Sequence, residues 1–228
     1  MKRVLAIDTS AGTSVAIVEL RDSGSADAPA RTECTTLAAW HSADTMKHAE
    51  NVGTAIAECL AQAGLKAKQL DAVVVGRGPA PFTGLRVGIA AAILFAEGAH
   101  LPLYGVVSLD AIALAEVRGG RHANAVEQLL VTTDARRGEV YWAVYGSQAS
   151  SGLPGRLRGP AVAKLTVVLE QLDAAGTAYR RAEAPVEAAN LAKVFFAEHL
   201  AGQASHDVTA LYLREPDAVP SPGKKVSG

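Results

Sequence analysis

The sequence predicts an α/β fold made of two related halves, each a mixed β-sheet flanked by helices. Three observations predict it. Short apolar runs alternate with longer stretches whose apolar residues recur every three or four positions, the pattern of strands interleaved with helices. Each half opens on an apolar run, an aspartate, a polar turn and a second apolar run: residues 4–7, Asp8 and residues 14–20, then residues 129–133, Asp134 and residues 139–145. That is a hairpin signal met twice, so the sheets are mixed and a duplicated unit is expected. Finally, 228 residues with 49% hydrophobic and 20% charged side chains can build an adequate core in one large domain or two small ones.

Residues 4–7 are the first strand and residues 14–20 its partner across a polar turn containing Gly12. Residues 21–33, rich in Asp, Ser, Ala, Gly and Pro, read as a surface loop. Residues 42–63 read as a helix, with Ala49, Val52, Ile56, Leu60 and Ala63 on one stripe and Gly64 as its stop. Residues 71–75 are a buried strand. Residues 76–81 form a turn-rich loop, after which the hydroxyl of Thr83 is expected to cap a helix. Residues 87–96 of that helix hold no charged or polar side chain. A helix apolar all round is buried all round, or presents one face to another protein. Ten residues are too short for a bilayer, which needs about 20.

The second half continues the alternation. Residues 101–107 are a strand and 108–117 a helix. After the second hairpin, residues 146–160 are Gly-, Ser- and Pro-rich and read as a loop. Residues 164–174 and 185–200 read as helices, and Leu211-Tyr212-Leu213 as a short apolar element. Residues 215–228, with three prolines and Lys224-Lys225, read as a flexible tail. The expected division is 1–107 with the two interface helices, 108–214 with its last helix packing back on the first half, and 215–228.

The formal net charge is -1. Nucleic-acid binding draws most of its affinity from phosphate neutralisation, so a chain without basic excess can hold RNA only through a local patch. Cys34 and Cys59 form neither a metal-ligand pair nor a disulfide framework, and read as thiols in a reducing cytosol. The N-terminus enters its first strand without a long apolar region, so a cytoplasmic location and no membrane partner are expected.

Asp8-Thr9-Ser10, Gly78-Pro79-Ala80-Pro81-Phe82-Thr83-Gly84-Leu85-Arg86, Gly105-Val106-Val107-Ser108-Leu109, Asp134-Ala135-Arg136-Arg137-Gly138-Glu139-Val140-Tyr141 and Leu211-Tyr212-Leu213-Arg214 occur in that order. Together, from about Lys2 to Asp217, they resemble the TsaB (YeaZ) family. The resemblance implies two actin-like (ASKHA) subdomains. It implies a non-catalytic partner of a TsaD-like subunit, in a heterodimer joined by a TsaE-like ATPase. With TsaC, these place a threonylcarbamoyl group on the adenosine beside the tRNA anticodon. In that reading the metal and the chemistry belong to TsaD, this chain needs no cofactor, tRNA is touched only through the complex, and docking uses helices of the first subdomain. Older usage labels such chains M22 peptidases. Ala80 and Pro81 stand where the family pattern has Gly and Ser, which weakens the loop as an anion cradle.

Three functional readings follow. An actin-like ATPase or phosphotransferase would hold phosphates between the two hairpin turns, giving a candidate vestigial nucleotide or anion site at Asp8, Thr9, Ser10, Thr83, Arg86 and Asp134. Glycine is sparse in both turns, whereas cradling needs close backbone approach. The bland reading of Asp8 and Asp134 is a turn carboxylate, and that of Arg86 an ion pair or exposed head. A metal-dependent peptidase would need ligands. The His-x-x-x-His positions of the metal-bearing relative fall on Ser108 and Ile112. His41 and His48 are spaced to share a helix face but lack a third ligand. The interface reading is the strongest: Met46, Ala49, Val52, Gly53, Ile56, Leu60, Leu85, Gly88, Ala91, Ala92 and Phe95 would form a helix-bundle contact with another chain, or with a second copy when the partner is missing.

Overall fold

The computed structural model describes residues 1–22, 32–119, 127–148 and 152–214. The expected tail, and most of the loop expected over 21–33, lie outside them. The first sheet has five strands in the order β3-β2-β1-β4-β5: β1 Lys2–Asp8, β2 Thr13–Asp22, β3 Thr32–Ser42, β4 Ala72–Gly76 and β5 Leu103–Val106. The second has four, in the order β8-β7-β6-β9: β6 Gln128–Asp134, β7 Glu139–Gln148, β8 Pro154–Lys164 and β9 Tyr179–Glu183. In each sheet an antiparallel three-strand meander is followed by a strand parallel to the first one. The two aspartates fall at the same register, Asp8 opposite Ser14 and Asp134 opposite Val140.

The period-2 alternation of β1 sorts its residues to two cores. Leu5 and Ile7 meet α1 (His48–Ala63) and α2 (Phe82–Ala99) on the outer face, while Val4 and Ala6 meet α5 (Ala188–Leu200) on the inner face. Helix α3 (Ser108–Arg118) packs against both α5 and the second sheet, and α4 (Leu165–Ala174) covers that sheet's far side. The layers therefore run α1/α2, first sheet, α5/α3, second sheet, α4. The central core is continuous from Val4 and Val18 through Leu109 and Phe195 to Val131 and Tyr145.

Several expectations are corrected. Helix α1 starts at His48; Ser42 ends strand β3, and residues 43–47 form the turn between the two. The register slips between Ile17 and Val18, leaving Leu37 as an extra residue and breaking the alternation of a mostly exposed edge strand. Residues 154–160 are part of β8, where Gly155, Gly159 and Pro160 sit among register shifts. Strand β9 carries Arg180, Arg181 and Glu183 on the edge, so its charge hid it. Leu211-Tyr212-Leu213 has no regular secondary structure.

Helix α2 is longer than its all-apolar stretch and begins at Phe82. Pro81 stands at the cap position, and Thr83, in the first turn, makes no capping bond. By length and composition α2 could cross a membrane. One stripe of it (Leu85, Gly88, Ile89, Ala92, Ala96) is nonetheless the roof of the outer core.

Candidate interaction surface and interlobe cleft

Asp8 closes β1 at the mouth between the two halves. Its Oδ1 accepts bonds from the Ser10 amide at 2.8 Å and hydroxyl at 2.5 Å, and its Oδ2 accepts the Ser108 hydroxyl at 2.6 Å. Burial pushes its carboxyl above the ordinary range, against the opposing pull of those bonds from Ser10 and Ser108. A Cβ on Gly76 would lie 1.8 Å from Oδ2, so only glycine lets this carboxylate pack on β4. Thr9 reaches into α2: its hydroxyl donates to the Gly84 carbonyl at 2.8 Å and accepts from the Gly88 amide at 3.2 Å. His48 is buried with Nδ1 2.9 Å from the Thr13 hydroxyl, and burial lowers its pKa. His41 lies on β3, so the two histidines share no helix face.

The cleft between the hairpin turns measures about 540 Å³ and is bordered by Thr9, Ser10, Thr83, Gly84, Asp134 and Arg136, among others. Asp134 is exposed and accepts the Arg136 amide at 2.8 Å; the Arg136 guanidinium donates across to Thr45 at 3.2 Å and bridges the two halves. Of the six residues expected at an anion site, Ser10, Thr83 and Asp134 face this space openly. Asp8 and Thr9 are buried and committed to their own scaffold. Arg86 turns away: its guanidinium carbon lies 3.5 Å over the Phe82 ring and its Nε donates to the Tyr212 hydroxyl at 2.8 Å. The structure therefore does not gather the six into one site. Ser108 and Ile112, at the ligand positions of the metal-bearing relative, are both buried, and the Ser108 hydroxyl is taken by Asp8. Among the described residues no three His, Cys, Asp or Glu side chains cluster as metal ligands would.

The helix pair divides the residues expected at an interface into two groups. Val52, Ile56, Leu85, Gly88 and Ala92 are buried in this chain's own outer core. The smallness of Gly88 serves Thr9, because a Cβ there would sit 2.2 Å from the Thr9 hydroxyl. Leu60, Ala91 and Phe95 are half-buried at the margin of the core, while Ala49 and Gly53 are exposed and Met46 is 86% exposed. The sequence reading missed Ile93 and Leu94, which are 38% and 73% exposed on the outer face of α2. The phase of the inner stripe, 85-88/89-92-96, was the signal that places residues 90, 93, 94 and 97 outside. Together the outer faces of α1 and α2 offer an apolar strip with few charges.

The family model of TsaD, tRNA N6-adenosine threonylcarbamoyltransferase, matches residues 43–203, well over half of the chain. A protein of Mycobacterium leprae is 38% identical over 232 residues, covering 96% of this chain and 57% of its own. The tRNA threonylcarbamoyladenosine biosynthesis protein TsaB of Escherichia coli K12 is 34% identical over 143 residues, covering 63% of this chain and 54% of its own. The chain thus spans about half the length of the curated relatives it matches. Among solved structures, YeaZ from Pseudomonas aeruginosa aligns with TM-score 0.66 at 22% identity, over 93% of this chain and 100% of its own. That likeness bears on the fold, and the two meanders with exchanged helices agree with it. The chain is a member of the TsaB/YeaZ family, within the TsaD-like domain family, built on an actin-like α/β fold.

Proposed function

We propose that this chain is a non-catalytic, cytoplasmic subunit that docks on a TsaD-like catalytic partner and supports threonylcarbamoylation of the adenosine beside the tRNA anticodon. A TsaE-like ATPase joins that complex, and tRNA is modified on the partner. The observation that carries the reading is the outer strip of α1 and α2, where Ile93 and Leu94 are exposed. Burying such side chains against another helix pair contributes roughly 25 cal/mol per Å², less the cost of association. The same strip suits a second copy of this chain, so a homodimer is expected when the partner is withheld.

The ATPase or phosphotransferase reading is supported only by the position of the cleft. A phosphoryl-transfer site positions a free carboxylate toward a metal or nucleophile, and Asp8 instead accepts three hydrogen bonds beneath the turn. The peptidase reading has no cluster of His, Cys, Asp or Glu metal ligands behind it among the described residues. The test is reconstitution: the TsaD-like, TsaE-like and TsaC-like proteins of the same source are mixed with tRNA, with and without this chain. Modification is expected only when the chain is present, and Leu94→Glu is expected to abolish it. Full modification without the chain, or Mg-ATP hydrolysis by the isolated chain that is lost in Asp8→Ala, would refute the proposal.

A further inference from the structure

A smaller cavity, of about 200 Å³, lies where α3, the end of α5 and the start of β8 meet. Its wall carries two carboxylates, Asp110 of α3 and Glu198 of α5, and one guanidinium, Arg156 of β8. Asp110 Oδ1 accepts the hydroxyl of Tyr145, from β7, at 2.6 Å and lies 3.7 Å from an Arg156 nitrogen. Glu198 stands in the last turn of α5, where the negative end of the helix dipole opposes a further negative charge. The other charged side chains of α5 are turned elsewhere. Lys193 donates to Asn190 at 3.0 Å, and His199 packs against Phe195 and Tyr104. Burial, and after it the Lys2 charge from β1, lower the His199 pKa, so His199 does not supply a second cation.

Two carboxylates facing one guanidinium leave a surplus negative charge in a space partly withdrawn from water. A bound proton removes that surplus. Burial first, and then the Asp110 charge, lift Glu198 to about 7, against the opposing pull of Arg156. Burial raises Asp110 as well, against Arg156 and the Tyr145 bond. Tyr145 is itself raised well above its ordinary value, by burial and then by Asp110, so its hydroxyl stays a donor. We propose that Asp110 and Glu198 form a proton-operated latch: one proton held by the pair keeps the end of α5 and the start of β8 together around the cavity, and its release to water opens that seam. Helix α5 covers the first sheet and β8 belongs to the second, so the latch works between the two halves. Just past α5 the chain contributes Gln203 to the cavity wall and then runs along β5, so the seam also holds the start of that segment.

The inference does not rest on the docking proposal, since no residue of α1 or α2 lines this cavity. Hydrogen exchange of the full-length chain is measured at about pH 6 and about pH 8, corrected for the intrinsic effect of pH on amide exchange. It is read on peptides covering residues 153–157 and 197–203. Protection there is expected to drop at the higher pH by about tenfold more than in β9, an edge strand that does not touch the cavity. Glu198→Gln, neutral at both pH values, should abolish this extra drop. Asp110→Asn, which leaves one carboxylate for Arg156, should shrink it. Carbon-13 NMR of the Glu198 carboxyl in the parent chain gives a second reading, with a midpoint of about 7 expected. That midpoint should move down in Asp110→Asn. An equal drop at the seam and in β9 would overturn the proposal. So would an undiminished extra drop in folded Glu198→Gln, or a parental midpoint at the ordinary glutamate value of about 4.3. The two parental measurements decide the matter even where a variant does not fold, and neither involves the TsaD-like partner.

Discussion

Thr9 sits where the first hairpin meets α2, and one hydroxyl there joins the Gly84 carbonyl to the Gly88 amide. The fit leaves no room for a methyl group at 88. Gly88→Ala is therefore expected to lower stability by roughly 1–3 kcal/mol despite its higher helix propensity. Urea unfolding would show this as a lower midpoint at unchanged slope. A second residue-scale effect concerns protons. Glu198 on α5 faces Asp110 on α3, with Arg156 of β8 and the Tyr145 hydroxyl completing the group; Tyr145 donates to Asp110 at 2.6 Å. Burial, then the Asp110 charge, lift Glu198 from 4.5 to about 7. The folded chain thus holds this proton more tightly than the unfolded one. The contribution is complete below about pH 4.5 and is lost as pH rises through about 7. Burial raises Asp8 and Asp110 as well, and both act in the same direction. Stability should fall by on the order of 1–3 kcal/mol from Glu198 alone between mildly acidic and mildly alkaline pH. In Glu198→Gln that gap in urea midpoints should narrow; an equal gap would show that Glu198 is not its source.

At the scale of elements, α2 has a committed inner stripe and an uncommitted outer one. Leu85→Ala should cost about 2–5 kcal/mol, as expected for a cavity opened in a packed core. Ala90→Glu, on the exposed side, should fall within about 0.5 kcal/mol of the parent. Comparing the two thermal transitions tests the assignment of the stripes. How far this was legible in the sequence varies by element. Strands β1, β4 and β6 declared themselves because centrally paired strands are apolar on both faces. The edge strands β3, β8 and β9 did not: a bulge at Leu37, glycines in β8 and arginines in β9 each erase the alternation that marks a strand. Apolar content announces α2 but not its phase, so the sequence places Ala92 and Ile56, both buried, at an interface and does not single out Ile93 and Leu94, both exposed.

The whole molecule is held as one body by exchange between its halves. Helix α3 leaves the first sheet to pack on the second, and α5 returns from the second to cover the first. After α5 the chain is laced along β5 and the β4–α2 loop: the Gly105 amide donates to the Ser205 carbonyl at 2.9 Å, the Leu211 amide to the Arg77 carbonyl at 2.8 Å, and Arg77 pairs with Asp207 at 2.5 Å. This lacing sets Tyr212 against Phe82. The same architecture leaves α1 and α2 as an outermost layer, covered on one side only among the described residues. Whether that layer exists to receive a TsaD-like subunit is decided most directly by equilibrium titration of the TsaD-like partner with Leu94→Glu and Leu94→Ala, after circular dichroism has established that both variants fold. The account predicts intact folding, binding weakened by tenfold or more in Leu94→Ala, corresponding to about 1.4 kcal/mol, and none detectable in Leu94→Glu. Parental affinity in both folded variants would contradict it.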